Sequence, residues 1–254
     1  MEICCCLAGF LWDDFPLLIN LILAILGGSP APESTAFSCA TMHVPMDLAS
    51  IHESLAPFLE NNTLSREQLA HISAHLELLL KWNLHVNLTS IRSAEDIVRR
   101  HFGESLFAAR KLMPLIPSPA SLVDFGSGAG FPGIPIKIWI PELRVRLIES
   151  RQKKATFLNE VIRTLQLQDV AVANLRAEEL GTQAEAVTLR AVEKFESALP
   201  VAQGLVRPGG KLALLIGSQQ ASIASSLLPQ FSWRAPSQIP LSTSRILLIG
   251  QAPQ

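Results

Sequence analysis

The sequence predicts an α/β protein: a doubly wound, mostly parallel sheet preceded by a helical annex. Between Leu48 and Met113, apolar residues recur at spacings of three and four, which is typical of amphipathic helices. From Ser121 onward, short β-rich runs alternate with helix-compatible runs. The length of each unit favours parallel strands joined by crossover helices, and therefore a sheet with helices on both faces.

Three segments are predicted along the 254 residues. Residues 1–45 are an extension outside the core, residues 46–118 form the helical annex, and residues 119–254 form a cofactor-binding domain. Hydrophobic residues make up 48 % of the chain, enough for a sizeable core. The extension holds four of the 22 acidic residues and no lysine or arginine, so the remainder has 18 acidic and 21 basic residues, a net charge of +3.

The extension is unlike the rest of the chain. It contains all four cysteines, so the body has neither disulfides nor thiolate metal sites. Its apolar run, Phe15 to Gly28, is short for a membrane span, which needs about 20 residues. We interpret the extension as the product of a start codon assigned too far upstream. On this interpretation translation begins at Met42 or Met46. A loosely attached native extension and a targeting segment are the alternatives. A chain that begins at Met46 is expected to keep full activity.

Helices are predicted first in the body of the chain. Five apolar residues between Leu69 and Leu80 share one helical face, and Thr63 or Ser65 is expected to cap that helix. A second helix is expected at Ala94 to Leu112. Three prolines at 114, 117 and 119 then form a short linker.

Alternating strands and helices follow the linker. The strands are predicted at 121–125, 144–149, 169–173, 185–189 and 211–216, and the helices between them at 133–140, 151–166 and 194–206. A further helix at 221–228 and a last strand at 245–249 suit an antiparallel hairpin at the edge of the sheet.

A glycine-rich turn joins the first strand to the next helix. Gly126, Gly128, Gly130 and Gly133 follow the strand that ends at Phe125. Glycine permits a positive φ and leaves no Cβ between backbone and ligand, while the helix N-terminus offers unpaired N–H donors. The turn contains both GxGxG, common in methyltransferases that use S-adenosylmethionine, and GxGxxG, the dinucleotide pattern. A purely structural glycine turn is the third interpretation.

Two carboxylates are predicted at strand ends beside this turn. Asp124 lies near the end of the first strand, and Glu149 ends the second, about 20 residues past the loop. A carboxylate at the tip of the second strand can accept hydrogen bonds from both ribose hydroxyls, which fits S-adenosylmethionine and NAD equally and disfavours NADP. We therefore expect Asp124, Glu149 and the backbone of Gly128 to contact a cofactor. A solvated glutamate is the alternative interpretation of Glu149.

Six short motifs between Leu76 and Gly217, in order and with natural spacing, resemble those of a known family. They are Lys81-Trp82-Asn83 with Asn87-Leu88-Thr89, His101-Phe102-Gly103-Glu104-Ser105-Leu106, Asp124 to Pro135, Glu149 to Leu158, Arg176-Ala177-Glu178-Glu179 and Arg190-Ala191-Val192. Together they resemble the RsmG (GidB) family, which methylates a guanine N7 in bacterial 16S ribosomal RNA. The individual motifs are short, whereas the ordered set is specific.

The resemblance implies a Rossmann-like class I methyltransferase fold with S-adenosylmethionine as the cofactor. It implies 16S rRNA within the small ribosomal subunit as partner, for a cytoplasmic monomer without a metal or a membrane anchor. Position by position, it implies that Gly126 and Phe131 touch the cofactor and that Ala177 and Glu178 lie near its adenine ring. Arg190 would lie at the edge of the cofactor on the substrate side. An ion pair between Arg190 and a helix is the alternative.

The implied chemistry needs few side chains. Guanine N7 has a free lone pair at neutral pH, so no general base is required and no catalytic dyad is expected. Arg190 is the one candidate for a catalytic role. Alignment of the reacting atoms can lower the activation barrier by about 7–11 kcal/mol. His101 is interpreted as a core or capping residue rather than a base.

Four positions depart from the family pattern. Glu104 and Glu185 stand where the family usually has Asp, Leu189 stands where Ser is common, and Ile216 replaces the usual Lys. The missing lysine removes a cation that is expected to face RNA.

Three rival functions remain. They are a small-molecule methyltransferase on the same fold, an NAD-linked oxidoreductase and a non-enzymatic RNA-binding module.

Two groups of basic residues remain to contact RNA phosphates. They are Lys81, Arg92, Arg99, Arg100, Arg110 and Lys111 in the annex, and Arg151, Lys153 and Lys154 after the second strand. A solvated helix face is the alternative interpretation. Trp82 is interpreted as a core residue rather than a stacking platform.

Overall fold

Helices open the part of the chain that the computed structural model describes, residues 46–192 and 194–254. Helix α1 spans Leu48–Leu59 and α2 spans Arg66–Asn83. Ser65 caps α2 as one of the two predicted candidates, because its Oγ accepts from Gln68 N at 3.1 Å while Gln68 Oε1 accepts from Ser65 N at 2.8 Å. The predicted extension, with its cysteines and apolar run, lies outside the described residues.

The second annex helix is continuous but not uniform. It begins as α3 (Ala94–Ile97), passes through a π-helical segment (Val98–Gly103) and continues as α4 (Glu104–Leu112). A Cβ on Gly103 would lie 2.5 Å from the ring of Phe58, so glycine is what lets α1 pack against this segment. A 3₁₀ turn (Met113–Leu115) then leads into the linker.

The predicted strands are confirmed, with small shifts at their ends. The strands are β1 (Ser121–Phe125), β2 (Arg144–Ile148), β3 (Val170–Ala173), β4 (Ala184–Arg190), β5 (Val206–Gly217), β6 (Ser232–Trp233), β7 (Ser237–Gln238) and β8 (Arg245–Gln251). β5 begins at Val206, five residues before the predicted start, because a turn at Gly209 is taken up in the strand. The two-residue strands β6 and β7 were not predicted, since they are too short to show alternation.

The sheet is doubly wound, as predicted. Its order is β3-β2-β1-β4-β5-β8-β6, with β7 also paired to β8. The first five strands are parallel, and β8 is antiparallel to β5. The strand order reverses between β1 and β4, and open α/β sheets bind ligands at the carboxyl ends of strands beside such a reversal.

Both faces of the sheet are buried. The remaining helices are α5 (Gly133–Trp139), α6 (Gln152–Thr164), α7 (Phe195–Gly204) and α8 (Gln220–Leu227). Along β5, Ala213 and Leu215 join the apolar cluster that contains the annex helices, α5 and α6, whereas Leu214 and Ile216 join the cluster with α7 and α8. The annex therefore shares its core with one face of the sheet. No helix in the described part is long and apolar enough to cross a membrane.

Candidate functional site

A cleft opens at the carboxyl ends of β1, β2, β3 and β4, where the strand order reverses. We call it the strand-end cleft, and its volume is about 430 Å³. Four predicted cofactor residues line it: Gly126 after β1, Glu149 after β2, and Ala177 and Glu178 in the 3₁₀ turn that follows β3. The structure thus brings together residues from three motifs that are spread along the sequence from Gly126 to Glu178.

The four glycines of the turn serve two different purposes. Gly126 and Gly128 have φ values of +66° and +58°, and a Cβ on either would meet nothing closer than 3.8 Å. Their backbone is therefore open to a ligand. A Cβ on Gly130 would lie 2.5 Å from Ile134, and one on Gly133 would lie 2.5 Å from Leu147. These two glycines are required by the close packing of α5 against the sheet.

Glu149 joins the cleft to the glycine turn. Its Oε2 accepts from Gly128 N at 3.1 Å, and its Oε1 accepts from Arg151 N at 2.8 Å. The carboxylate is thereby fixed at the tip of β2, and it remains part of the wall of the strand-end cleft. Each oxygen has a second lone pair, so the group can still accept hydrogen bonds from a ligand.

Asp124 differs from the prediction. Its side chain is fully buried and is not part of the cleft wall. Oδ1 accepts from Thr188 Oγ1 at 2.7 Å, and Oδ2 accepts from Gly133 N at 3.0 Å. Burial raises the pKa of Asp124 to about 6, against the lowering effect of these hydrogen bonds. Asp124 therefore links β1 to β4 and holds the start of α5. It supports the glycine turn from the core and does not contact the cleft.

Phe131 also differs from the prediction, because its ring points into the core. It stacks between the rings of His75 and His101, at centroid distances of 5.0 and 4.8 Å. His75 Nε2 lies 3.0 Å from Ala129 O and can donate to it, which ties α2 to the glycine turn. Burial lowers the pKa of His75 to about 4, so this histidine is neutral at physiological pH.

Arg190 lies at the end of β4, as predicted, but its side chain turns toward the annex. Its Nη2 donates to Arg100 O at 2.9 Å and lies 3.3 Å from Glu104 Oε2. The residue is buried and does not line the strand-end cleft. This geometry corresponds to the alternative interpretation of Arg190, an ion pair with a helix residue, here Glu104 of α4.

His101 is held in one neutral form by its neighbours. Arg190 Nη2 lies 2.8 Å from Nδ1 and can only donate, so Nε2 carries the proton and donates to Thr89 Oγ1 at 2.8 Å. Burial, reinforced by the charge of Arg190, lowers the pKa of His101 to about 2. His101 is therefore a core residue, as interpreted from the sequence.

A second cavity, which we call the β4–β5 cavity, adjoins the strand-end cleft. Its volume is about 350 Å³, and it shares only Ala191 and Val192 with the cleft wall. Ala191 has a φ of +49°, a strained value for a residue with a Cβ. Both residues belong to the motif Arg190-Ala191-Val192, but the cavity was not predicted from the sequence. Arg245 was not predicted either; it lines the cavity and pairs with Glu104, 141 positions away.

The basic residues predicted to contact RNA are not all free to do so. Arg99 pairs with Glu95, and Arg110 pairs with Glu60. The residues after β2 are better placed, because Arg151 and Lys154 line the strand-end cleft. Trp82 packs edge-on against Phe157 at a centroid distance of 5.6 Å, as expected of a core residue.

Several curated proteins with similar sequences carry the same name. Proteins named ribosomal RNA small subunit methyltransferase G are 43 % identical in Chloroflexus aggregans and 44 % identical in Roseiflexus castenholzii, over 59 % and 60 % of this chain. The matches span 64 % and 65 % of these relatives' own length, which is less than two thirds. The Xanthomonas campestris protein of the same name is 37 % identical over 68 % of this chain and 79 % of its own length.

Solved structures support the fold. A ribosomal protein L11 methylase from Lactobacillus delbrueckii subsp. bulgaricus aligns with a TM-score of 0.51 at 13 % identity, over 61 % of this chain and 80 % of that one. P. horikoshii TYW2, solved in complex with MeSAdo, aligns with a TM-score of 0.50 at 14 % identity, over 61 % and 63 %. At such identities the likeness establishes the class I methyltransferase fold alone.

A family model described as rRNA small subunit methyltransferase G matches residues 68–231, well over half of this chain. The matched range contains the glycine turn, Glu149, the turn at Ala177 and the end of β4. The chain therefore belongs to the GidB family of small-subunit rRNA methyltransferases.

Proposed function

We propose that this protein is an S-adenosylmethionine-dependent methyltransferase that methylates N7 of a guanine in 16S rRNA of the small ribosomal subunit. The strand-end cleft carries the proposal, because it combines open glycine backbone with a fixed carboxylate at the point where the strand order reverses. The family and the names of the relatives support the substrate. We include in the proposal that the protein acts as a cytoplasmic monomer.

The residues of the cleft fit S-adenosylmethionine. The open backbone at Gly126 and Gly128 would admit the methionine part, because no Cβ fills the space above it. Glu149 would accept hydrogen bonds from the ribose hydroxyls. Ala177 and Glu178 would flank the adenine, the buried alanine offering an apolar contact. When bound, the cofactor supplies an electrophilic methyl group on a sulfonium sulfur.

The chain's own part in the reaction is to position the cofactor and the guanine relative to each other. The new bond forms from the free lone pair of guanine N7 and no proton is removed, so a general base has no task. This agrees with His101, whose neighbours keep it neutral and whose two ring nitrogens are both engaged. Alignment of the reacting atoms can lower the barrier by about 7–11 kcal/mol.

Contacts to RNA are proposed for the basic residues after β2. Arg151 and Lys154 line the strand-end cleft and Lys153 is exposed beside them. Cations at the mouth of a cleft attract a phosphate backbone, and their contribution weakens as the salt concentration rises. We therefore expect methyl transfer to ribosomal particles to decrease with added salt more steeply than cofactor binding does.

Two measurements on the purified protein test the proposal. Calorimetric titration should show binding of S-adenosylhomocysteine and none of NADH, whereas binding of NADH alone would indicate an oxidoreductase. Transfer of labelled methyl groups should occur to isolated 30S particles and not to free nucleosides. Transfer to small molecules alone, or RNA binding without cofactor binding, would overturn the proposed activity.

A pair of variants isolates the cleft. Glu149→Gln keeps the shape of the side chain but removes its charge, and we expect at least a tenfold loss of S-adenosylhomocysteine affinity. Glu142→Gln is the matched control, because Glu142 is exposed and precedes the same strand at its opposite end. Equal affinity in both variants would remove Glu149 from the cofactor site.

A further inference from the structure

An exposed leucine stands at the end of α2, where the α2–α3 loop (residues 84–93) begins. Leu84 is 78 % exposed and is the most exposed large apolar side chain in the described part of the chain. By contrast, Leu76 and Leu79 of the same helix are buried in the core. Single exposed leucines are common on protein surfaces, so the meaning of this one depends on where it lies and how it is held.

The loop that begins with Leu84 has a fixed backbone. Asn83 is buried at the end of α2, and its Oδ1 accepts from Leu88 N at 2.9 Å and from Thr89 N at 3.0 Å. Its Nδ2 donates to Thr89 O at 2.9 Å. Thr89 Oγ1 in turn accepts from His101 Nε2 at 2.8 Å, which joins the loop to the π-helical segment. These bonds hold Leu84 at a defined position.

Helix α2 carries the loop past the carboxyl ends of the strands. Near its start, Gln68 Nε2 donates to Trp139 O at 3.2 Å, at the end of α5 and thus near the amino ends of the strands. Two turns later, His75 Nε2 lies 3.0 Å from Ala129 O in the glycine turn at the carboxyl end of β1. Leu84 follows His75 by nine residues, so it lies about 13 Å beyond the level of the glycine turn at about 1.5 Å per residue. The loop therefore projects from the edge of the sheet that holds the strand-end cleft.

The loop and the last turn of α2 carry positive charge and no carboxylate. No Asp or Glu occurs in the sequence from Leu78 to Ala94, whereas Lys81 and Arg92 within that range are exposed. Exposed cations of this kind attract a polyanion, and each phosphate that they neutralise releases counterions. A protein partner would need an acidic surface to match them, whereas any RNA segment has the matching charge.

The loop lies next to the basic residues that follow β2. Trp82, two residues before Leu84, packs edge-on against Phe157 of α6 at a centroid distance of 5.6 Å. Lys153 and Lys154 precede Phe157 by four and three residues, so they lie one turn away on the same helix. Lys154 lines the strand-end cleft and Lys153 is exposed. The α2–α3 loop and the mouth of the cleft therefore meet at α6.

We propose that the α2–α3 loop docks on the RNA substrate, where Leu84 inserts as an apolar wedge against the faces of bases and Lys81 and Arg92 contact the flanking phosphates. The inference rests on the proposed function and adds a surface that engages RNA outside the cleft. Leucine is among the apolar side chains that proteins insert between the bases of a nucleic acid. In RNA, the unpaired bases of loops and bulges offer faces for such contacts. Because the loop is already fixed, little ordering entropy opposes the contact.

Binding to protein-free 16S rRNA tests the wedge without a methylation assay. The probe is unmethylated 16S rRNA transcribed in vitro, and its retention on filters is measured against the concentration of the full chain saturated with S-adenosylhomocysteine. We expect Leu84→Ala to bind at least tenfold more weakly than the wild type. Leu84→Met keeps an apolar side chain of similar volume and should stay within threefold. Leu227→Ala makes the same truncation at the exposed end of α8, outside the loop and the cleft, and should bind like the wild type.

The salt dependence of the same binding separates the wedge from the cations. An apolar contact releases no counterions, so Leu84→Ala should lower the affinity while the slope of log affinity against log salt concentration stays unchanged. Lys81→Gln should make that slope shallower by about 0.7, the value for one phosphate contact on a single strand. If the slope of Leu84→Ala is as shallow as that of Lys81→Gln, the truncation acts through phosphate contacts and the wedge is refuted.

Methyl transfer to 30S particles supplies the activity test. Leu84→Ala should lose at least tenfold in kcat/KM. Its S-adenosylhomocysteine affinity should stay within twofold and its Tm within about 2 °C, because the side chain is exposed and outside the cofactor site. Undiminished binding of Leu84→Ala to protein-free rRNA would overturn the inference. If its loss occurs with 30S particles alone, the loop contacts a ribosomal protein and the inference is equally overturned.

The outcomes separate this inference from the proposed function. If wild-type protein transfers no methyl group to 30S particles but binds rRNA more tightly than Leu84→Ala does, the proposed activity fails and the docking surface stands. If the wild type is active and Leu84→Ala is equally active, the function stands and the docking surface fails. Absence of wild-type binding to protein-free rRNA also overturns the inference.

Discussion

Replacement of Glu104 by glutamine is the sharpest test of the buried charges. The side chain is buried and its Oε2 faces Arg190 at 3.3 Å and Arg245 at 2.6 Å. Glutamine keeps the shape but leaves two guanidinium groups without a counter-charge. Removal of one partner from a buried ion pair costs about 3–5 kcal/mol, and we take the lower end because the amide oxygen still accepts a hydrogen bond.

This cost converts into a measurable change in thermal stability. The compact unit spans Pro45–Gln254, and in proteins of that size each kcal/mol shifts Tm by about 2–4 °C. Glu104→Gln should therefore lower Tm by about 6–12 °C in a circular dichroism melt.

The control makes the same chemical change at the surface. Glu95 pairs with Arg99 at 2.6 Å with both side chains about half exposed, and such helical pairs contribute about 0.3–0.5 kcal/mol. Glu95→Gln should thus lower Tm by no more than about 2 °C. Equal shifts in the two variants would refute the argument that burial gives the Glu104 pairs their weight.

Three further predictions follow from the site. Gly126→Ala should weaken S-adenosylhomocysteine binding at least tenfold in calorimetry and, because of its positive φ, cost about 1–2 kcal/mol of stability, whereas Gly133→Ala, whose Cβ would meet Leu147 and Asp124 at 2.5 and 2.8 Å, should cost about 1–3 kcal/mol of stability; unchanged affinity in Gly126→Ala would contradict the division of the glycines. His75 has a pKa of about 4 in the folded state and 6.5 as its ordinary value, so the unfolded chain binds the extra proton between these values and stability falls with falling pH. In urea unfolding between pH 7.5 and 5, His75→Leu should lose about 2 kcal/mol less than the wild type, and parallel curves would show that His75 does not titrate in this way. Arg190→Lys keeps the charge but loses the Nη2 group that donates to the Arg100 carbonyl and faces Glu104, so it should lose about 1–3 kcal/mol of stability while S-adenosylhomocysteine affinity stays unchanged; weakened cofactor binding would place Arg190 at the cofactor after all.

Local patterns in the sequence were sufficient to predict most of the fold. The alternation of apolar residues gave the bounds of β1 and placed β2, β3 and β4 within one residue at each end. The capping residue Ser65 and the turn at Gly126 were likewise predicted, because each depends on neighbours within a few positions. The π-helical segment was not predicted, and Gly103 at its end packs against Phe58, 45 positions away in α1.

The directions of the site's side chains could not be predicted in the same way. Asp124 turns inward because Thr188, 64 positions away, lies beside it on the neighbouring strand. Arg190 turns toward Glu104, 86 positions away, and Phe131 is drawn between two histidines of different helices. A motif identifies which residues meet at a strand end, but distant partners decide which of them face the ligand.

The central claim, methylation of a guanine N7 in 16S rRNA, is tested most directly by mass mapping of that rRNA. The source organism's strain that lacks this protein should yield 16S rRNA without one N7-methylguanosine, and reintroduction of the wild-type chain should restore it. The Glu149→Gln variant should restore it poorly, because the cofactor site is impaired. An identical set of methylated nucleotides in the presence and absence of the protein would contradict the account.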